Sequence, residues 1–141
     1  MKSVYLSARF ERRQELQEYQ RELESLGIEV IARWLVVEPP SGTRGLSEDE
    51  LQELAELDLE DVQRAEGFVC FSDPVGARDG AARHVEFGLA VAMGKPIVVV
   101  GCREHLFHRL AEIRVVEDWG DALRFLLSQK AYELETADAL R

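Results

Sequence analysis

The stretch Gly67-Phe68-Val69-Cys70-Phe71, followed by the loop Ser72 to Gly80 and the run Ala81 to Met93, decides the fold. Five residues without a polar side chain and without alternation predict a strand buried on both faces, as in the middle of a parallel sheet. The loop Ser72-Asp73-Pro74-Val75-Gly76-Ala77-Arg78-Asp79-Gly80 has the composition that ends a strand. Ala81 to Met93 then predicts a helix, with small residues at Gly88, Ala90 and Ala92 suited to close packing on the sheet. A buried strand feeding such a helix is half of a right-handed βαβ unit.

The same alternation extends outward in both directions. Ser3 to Ser7 predicts a first strand, followed by a helix with Leu16, Tyr19, Leu23 and Leu26 at helical spacing and Gly27 as its stop. Ile28 to Leu35, rich in β-branched and aromatic residues, predicts a second strand, and Pro39 to Gly45 a loop. Ser47 with Glu50 forms a capping box for a helix reaching about Ala65. Downstream, Gly94 ends the helix, Pro96 to Val100 predicts a fourth strand, Arg103 to Leu110 a short helix, Ile113 to Val116 a fifth strand and Asp118 to Gln129 a closing helix. Residues 1–129 thus form a single domain, and 130–141 a C-terminal tail that is helical or crosses to a neighbouring subunit. The predicted class is α/β: a doubly wound, Rossmann- or flavodoxin-like sheet of five parallel strands in the order 2-1-3-4-5. Ligands of such sheets lie outside the carboxyl ends of the strands, where the order reverses between strands 1 and 3. The chemistry is therefore expected on Leu6 to Phe10 and on Ser72 to Arg83.

A chain of 141 residues is large enough for one hydrophobic core without disulfides or metals. No apolar run approaches the length of a membrane span, and the amino-terminal residues do not read as a signal peptide, so a cytoplasmic protein is expected. Cys70 and Cys102 each follow an apolar run and are expected to be free core thiols. The formal charge of −10 opposes a nucleic-acid polymer, whose binding relies on neutralising many phosphates. It does not oppose a single nucleotide, because one helix N-terminus and one or two arginines hold one phosphate.

Several side chains then stand out. Glu86 lies about one and a half turns into the helix after the central strand, either as a solvated acid favoured by the helix dipole or as a carboxylate aimed into the crevice among Val85, Phe87 and Leu89. Asp58 and Asp61 lie three apart in the C-terminal half of their helix, where negative charge is unfavourable; a solvated acidic face is the plain alternative to a functional role. Tyr5 is placed either as core or as a phenol reaching a ligand or carboxylate at the strand end. His84 is a candidate to flank the ligand. His105 and His108 lack a third ligand pattern, so no metal is expected, and the phosphate-loop fingerprints of P-loop and dinucleotide folds are absent.

Three segments, in order, resemble the nucleoside 2-deoxyribosyltransferases and their nucleotide N-glycoside hydrolase relatives. They are Val4-Tyr5-Leu6-Ser7; Asp58-Leu59-Glu60-Asp61-Val62 with Ala65-Glu66; and Arg83-His84-Val85-Glu86-Phe87-Gly88-Leu89-Ala90 running to Gly94-Lys95-Pro96. The resemblance implies that Glu86 is the nucleophile at the anomeric carbon of a nucleoside, that Asp58 is associated with the leaving base, and that Tyr5 positions Glu86. It implies cleavage of the N-glycosidic bond of a (deoxy)nucleoside or nucleoside 5′-monophosphate through a glutamate-linked intermediate, by hydrolysis or base exchange. Asp79 corresponds to a further acid, although its spacing of seven residues before Glu86 departs from the family pattern. Gly80-Ala81-Ala82 lacks the hydroxyl that relatives often carry there for a 5′-phosphate. Ser7, Arg9, Arg83 and the backbone from Gly80 are then the candidate substrate-binding groups, and the arginine-rich entrance (Arg9, Arg78, Arg83) favours a phosphorylated substrate and hydrolysis. No cofactor is implied. A homodimer or larger homo-oligomer is.

Three rivals share parts of this reading. A non-catalytic nucleotide-binding or sensing module would use the same crevice with Glu86 only on a ribose. A phosphoacceptor receiver domain needs acids where strand 1 ends in Leu6-Ser7-Ala8-Arg9. An NAD-cleaving enzyme on a related sheet also uses a glutamate.

Overall fold

The computed structural model describes residues 1–37, 39–74 and 80–141. Five strands, β1 (Ser3–Ser7), β2 (Glu29–Val30), β3 (Gly67–Phe71), β4 (Ile97–Val100) and β5 (Arg114–Val116), pair in parallel in the order β2-β1-β3-β4-β5. The helices are α1 (Arg13–Ser25), α2 (Trp34–Val37), α3 (Glu48–Arg64), α4 (Ala81–Ala92) and α5 (Trp119–Ala139), with 3₁₀ turns at Phe10–Arg12 and Leu106–Arg109. The doubly wound architecture and its strand order are those the sequence predicts. α3 and α4 pack side by side on one face, while α1 and α5 meet on the other, where Tyr19 stacks on Trp119 at 4.4 Å between ring centroids.

β1 and β3 are buried along their whole length, as central strands must be. Their register sets Tyr5 beside Phe68 and Ser7 beside Cys70. Side chains alternate along a strand, so Tyr5 and Ser7 share one face. It is the face that α4 covers: Tyr5 stacks on Phe68, which meets Phe87 of α4 edge-on. The Ser47–Glu50 capping box forms and starts α3. At the other end of α3, the Lys95 ammonium donates to the carbonyls of Gln63 and Ala65, a cation on orphan helix carbonyls.

Five expectations are corrected. The predicted strand Ile28 to Leu35 shrinks to Glu29–Val30, and Trp34–Val37 becomes a helical turn. Tertiary partners overrule β-propensity there: the Trp34 indole donates to the Leu6 carbonyl at 2.9 Å, and the Leu35 carbonyl accepts from Arg13 and Gln17. The region from Arg103 to Leu110 holds only the short 3₁₀ turn. α5 runs past Gln129 to Ala139, because Ala, Glu and Leu continue without a Gly or Pro to stop it, so most of 130–141 is the end of that helix. Lys130 anchors it by donating to the carbonyls of Leu26 and Gly27, and the amino terminus pairs with Glu133. Cys70 is buried, and burial pushes its thiol up to about 12. Cys102 is exposed, because β4 ends at Val100 and Gly101 turns the chain away at φ +119°. Finally, of the three small residues only Ala90 packs inward as expected; Gly88 and Ala92 face outward, and Arg83 and Phe87 join Ala90 on the buried side of α4.

Candidate functional site

Both oxygens of the Glu86 carboxylate are held from β1. The Tyr5 hydroxyl donates to Oε2, and the Ser7 hydroxyl donates to Oε1 at 2.8 Å. This follows from the fold: alternate residues of the strand point at the second turn of the helix that covers it. The Tyr5 phenol lies well above its ordinary range, first because it is buried, then because the charges of Glu86 and Asp58 oppose a phenolate. It therefore remains a donor at any physiological pH.

Glu86 lines a cavity of about 560 Å³ over the carboxyl ends of β1 and β3. Asp58, on α3, lines the same cavity, as do Leu54 and Leu59. Phe10 and Trp34 supply aromatic walls. Asp61 does not reach this space. It is fully buried and binds Arg33, accepting from its backbone N–H at 2.7 Å and from the guanidinium Nε at 2.9 Å, with Nη2 2.8 Å away in the same ion pair. Of the two acids three apart, Asp61 ties the connection after β2 to α3, and Asp58 faces the cavity.

The arginines are more occupied than the sequence suggests. Arg83 is buried and makes a bidentate pair with Glu104, at 2.5 and 2.6 Å, with the Asp73 carboxylate 3.6 Å away. Arg9 lies 2.9 Å from Asp73 and lines the cavity. Arg12 and Arg13 are half-buried. Arg12 pairs with Glu15 and lies over the Phe71 ring; Arg13 donates to the carbonyls of Leu35, Val36 and Pro39. At the start of α4, Gly80 takes φ +92° and offers no side-chain cap. A Cβ there would lie 2.9 Å from both Arg83 Nε and Arg9 Cγ. Asp79 and Arg78 lie outside the described residues.

Sequence reasoning placed Phe10 and Asp73 within the two loops expected to carry the chemistry without singling either out, and it missed Trp34 and Glu104. Asp73 and Glu104 do stand just past the ends of β3 and β4, which in this class of sheet is itself a signal. His84 is not on the cavity wall; its ring meets His105 at 4.9 Å, and His105 meets His108 at 3.9 Å. Among the described residues no group of His, Cys, Asp or Glu is arranged to hold a metal ion, and no helix is long and apolar enough to cross a membrane.

No family model and no curated protein matches this chain. Solved structures do. The 2-deoxyribosyltransferase of the psychrotolerant bacterium Bacillus psychrosaccharolyticus aligns at a TM-score of 0.65 and 21% identity over 85% of this chain and 89% of its own. The CMP N-glycosidase of Clostridium botulinum aligns at 0.54 and 20% over 82% and 88%. At these identities the likeness is one of fold.

Proposed function

We propose that the protein is an enzyme that cleaves the N-glycosidic bond of a (deoxy)nucleoside or nucleoside 5′-monophosphate, with Glu86 as nucleophile. The observation that carries this reading is the Glu86 carboxylate at the cavity wall, with Tyr5 and Ser7 donating to its two oxygens. A carboxylate so fixed presents a remaining lone pair to one face of a sugar at a constant position, which is what displacement at an anomeric carbon requires. The bond from Glu86 to the anomeric carbon forms as the bond to the base breaks. Asp58, which lines the same cavity, is the group we assign to the departing base, to which it delivers a proton or a hydrogen bond. Water or a second base then attacks the glycosyl ester and releases Glu86. The fold shared with a deoxyribosyltransferase and a CMP N-glycosidase supports the same class of reaction.

Phe10 and Trp34 suit the flat faces of a base. The first N–H groups of a helix have no intrahelical acceptor, so Gly80 to Ala82 offer donors to a 5′-hydroxyl or 5′-phosphate. Among the described arginines Arg9, which lines the cavity and also pairs with Asp73, is the candidate for that group, because Arg83 is committed to Glu104. The exposed Leu59 and Val85 at the cavity wall favour assembly of copies around the mouth.

Purified protein is screened by chromatography against nucleosides, 5′-monophosphates and NAD, with and without an acceptor base, beside Glu86→Ala. Free base from wild type alone supports the reading, and dependence on the acceptor makes it a transferase. Ligand binding without any released base overturns it in favour of a sensing module.

A further inference from the structure

We infer that Glu104 is a positioning residue for Glu86: its bidentate pair with Arg83 fixes the first turn of α4, and with it the carboxylate one turn further on. This rests on the reading of Glu86 as the reacting group.

Glu104 follows β4 and belongs to no helix or strand. Its carboxylate accepts from both terminal nitrogens of Arg83, at 2.5 and 2.6 Å, and from the Asp73 backbone N–H at 2.9 Å. Burial works to raise the Glu104 carboxyl, but the hydrogen bonds from Arg83 and Asp73 outweigh it and hold the group below its ordinary range. Its own backbone N–H donates to Nδ1 of the buried His108, which packs edge-on against Phe87, the neighbour of Glu86. Asp73 extends the chain to Arg9. The carboxyl ends of β1, β3 and β4 are thus joined to the third residue of α4.

A helix is usually held at its start by a side-chain cap. The N-cap of α4 is Gly80, which provides none. The Arg83–Glu104 pair takes that place, from a loop 21 residues along the chain. Residues three apart lie on one side of a helix, so movement of Arg83 carries Glu86 with it. Small misplacement of a reacting group costs rate far more than it costs folding.

The test compares Glu104→Ala, the near-isosteric Glu104→Gln, Arg83→Met, the double variant Glu104→Ala/Arg83→Met, and Glu86→Ala. The Tyr5 ring carbon bearing the hydroxyl, observed by NMR in ¹³C-tyrosine protein, reports the hydrogen bond to Glu86 without any need for turnover. Kinetics and thermal unfolding accompany it. In Glu104→Ala and Arg83→Met the Tyr5 resonance is expected to move toward its position in Glu86→Ala. kcat falls about 10- to 100-fold with KM changed less than about threefold, and the double variant is no worse than either single one. Glu104→Gln recovers part of both readouts, and it carries the test should the alanine variant fail to fold. A wild-type Tyr5 resonance and kcat alongside a lowered Tm, or additive losses in the double variant, overturn the inference. Should wild type release no base, the N-glycosidase reading fails while the Tyr5 resonance still decides whether Glu104 places Glu86.

Discussion

Ser7 on β1 and Glu86 on α4, 79 positions apart in the chain, meet through a 2.8 Å hydrogen bond from hydroxyl to carboxylate. The sequence marks Ser7 as an anion-binding candidate; in the structure its partner is the carboxylate proposed to react. Ser7→Ala should lower kcat about 10- to 150-fold, the worth of a hydrogen bond to a charged group, with KM and Tm little changed. Steady-state kinetics on the best substrate checks it, and a rise in KM alone would return Ser7 to substrate binding.

Tyr5 supplies the other donor. Tyr5→Phe keeps the stacking on Phe68 and loses only the hydroxyl, so kcat should fall by about 10-fold or more with the fold intact. The rate should also show no limb from phenol ionisation up to about pH 9, since burial and the nearby carboxylates hold Tyr5 protonated. A Tyr5-dependent limb below that pH, absent in the Phe variant, would contradict this.

Gly80 enters α4 with a positive φ, and a methyl group there would crowd Arg9 and Arg83. Gly80→Ala should cost about 1–2 kcal/mol of stability from the backbone alone. If the first turn of α4 receives the 5′ end of the substrate, KM should rise more for a 5′-monophosphate than for its nucleoside. An equal change for both would place the phosphate elsewhere.

The three histidines give stability a defined pH dependence. Burial lowers His84 and His105 and pushes His108 to about 4. The folded protein therefore favours neutral imidazoles, while the unfolded chain takes up protons as pH falls below about 6.5. This contribution is complete above about 6.5 and is lost between there and about 4. The lowered carboxyls of Glu15 and Glu104 act in the same sense at lower pH: their contribution is present above the unfolded carboxylate value and lost as pH falls through the folded one. Urea midpoints measured from pH 7.5 to 4.5 should decline, and His108→Phe should flatten the decline; an unchanged slope would exclude His108 as its source.

Much of this was legible in the sequence because it is local. The buried run Gly67 to Phe71, the Ser47–Glu50 box and the spacing within Ser3 to Ser7 determine their elements through near neighbours, and Glu86 and Tyr5 follow from the strand–helix order. What failed to show depends on distant partners. Trp34 leaves a strand-like segment for a helical turn because its indole finds Leu6, and Arg13 and Gln17 claim the Leu35 carbonyl. Arg83 reads as a free cation until Glu104 is brought beside it. Asp58 and Asp61 look alike three apart on a helix, and Arg33, in the connection after β2, separates their roles.

The central claim is a glycosyl bond to Glu86. The most direct measurement is the intact and peptide mass of the protein after incubation with a 2-fluoro-2-deoxy nucleoside, whose fluorine slows turnover of the intermediate. The account predicts a mass gain equal to the nucleoside less its base, located on the peptide that contains Glu86 and absent from a folded Glu86→Ala variant. Base release without any adduct, or undiminished release by Glu86→Ala, would contradict it.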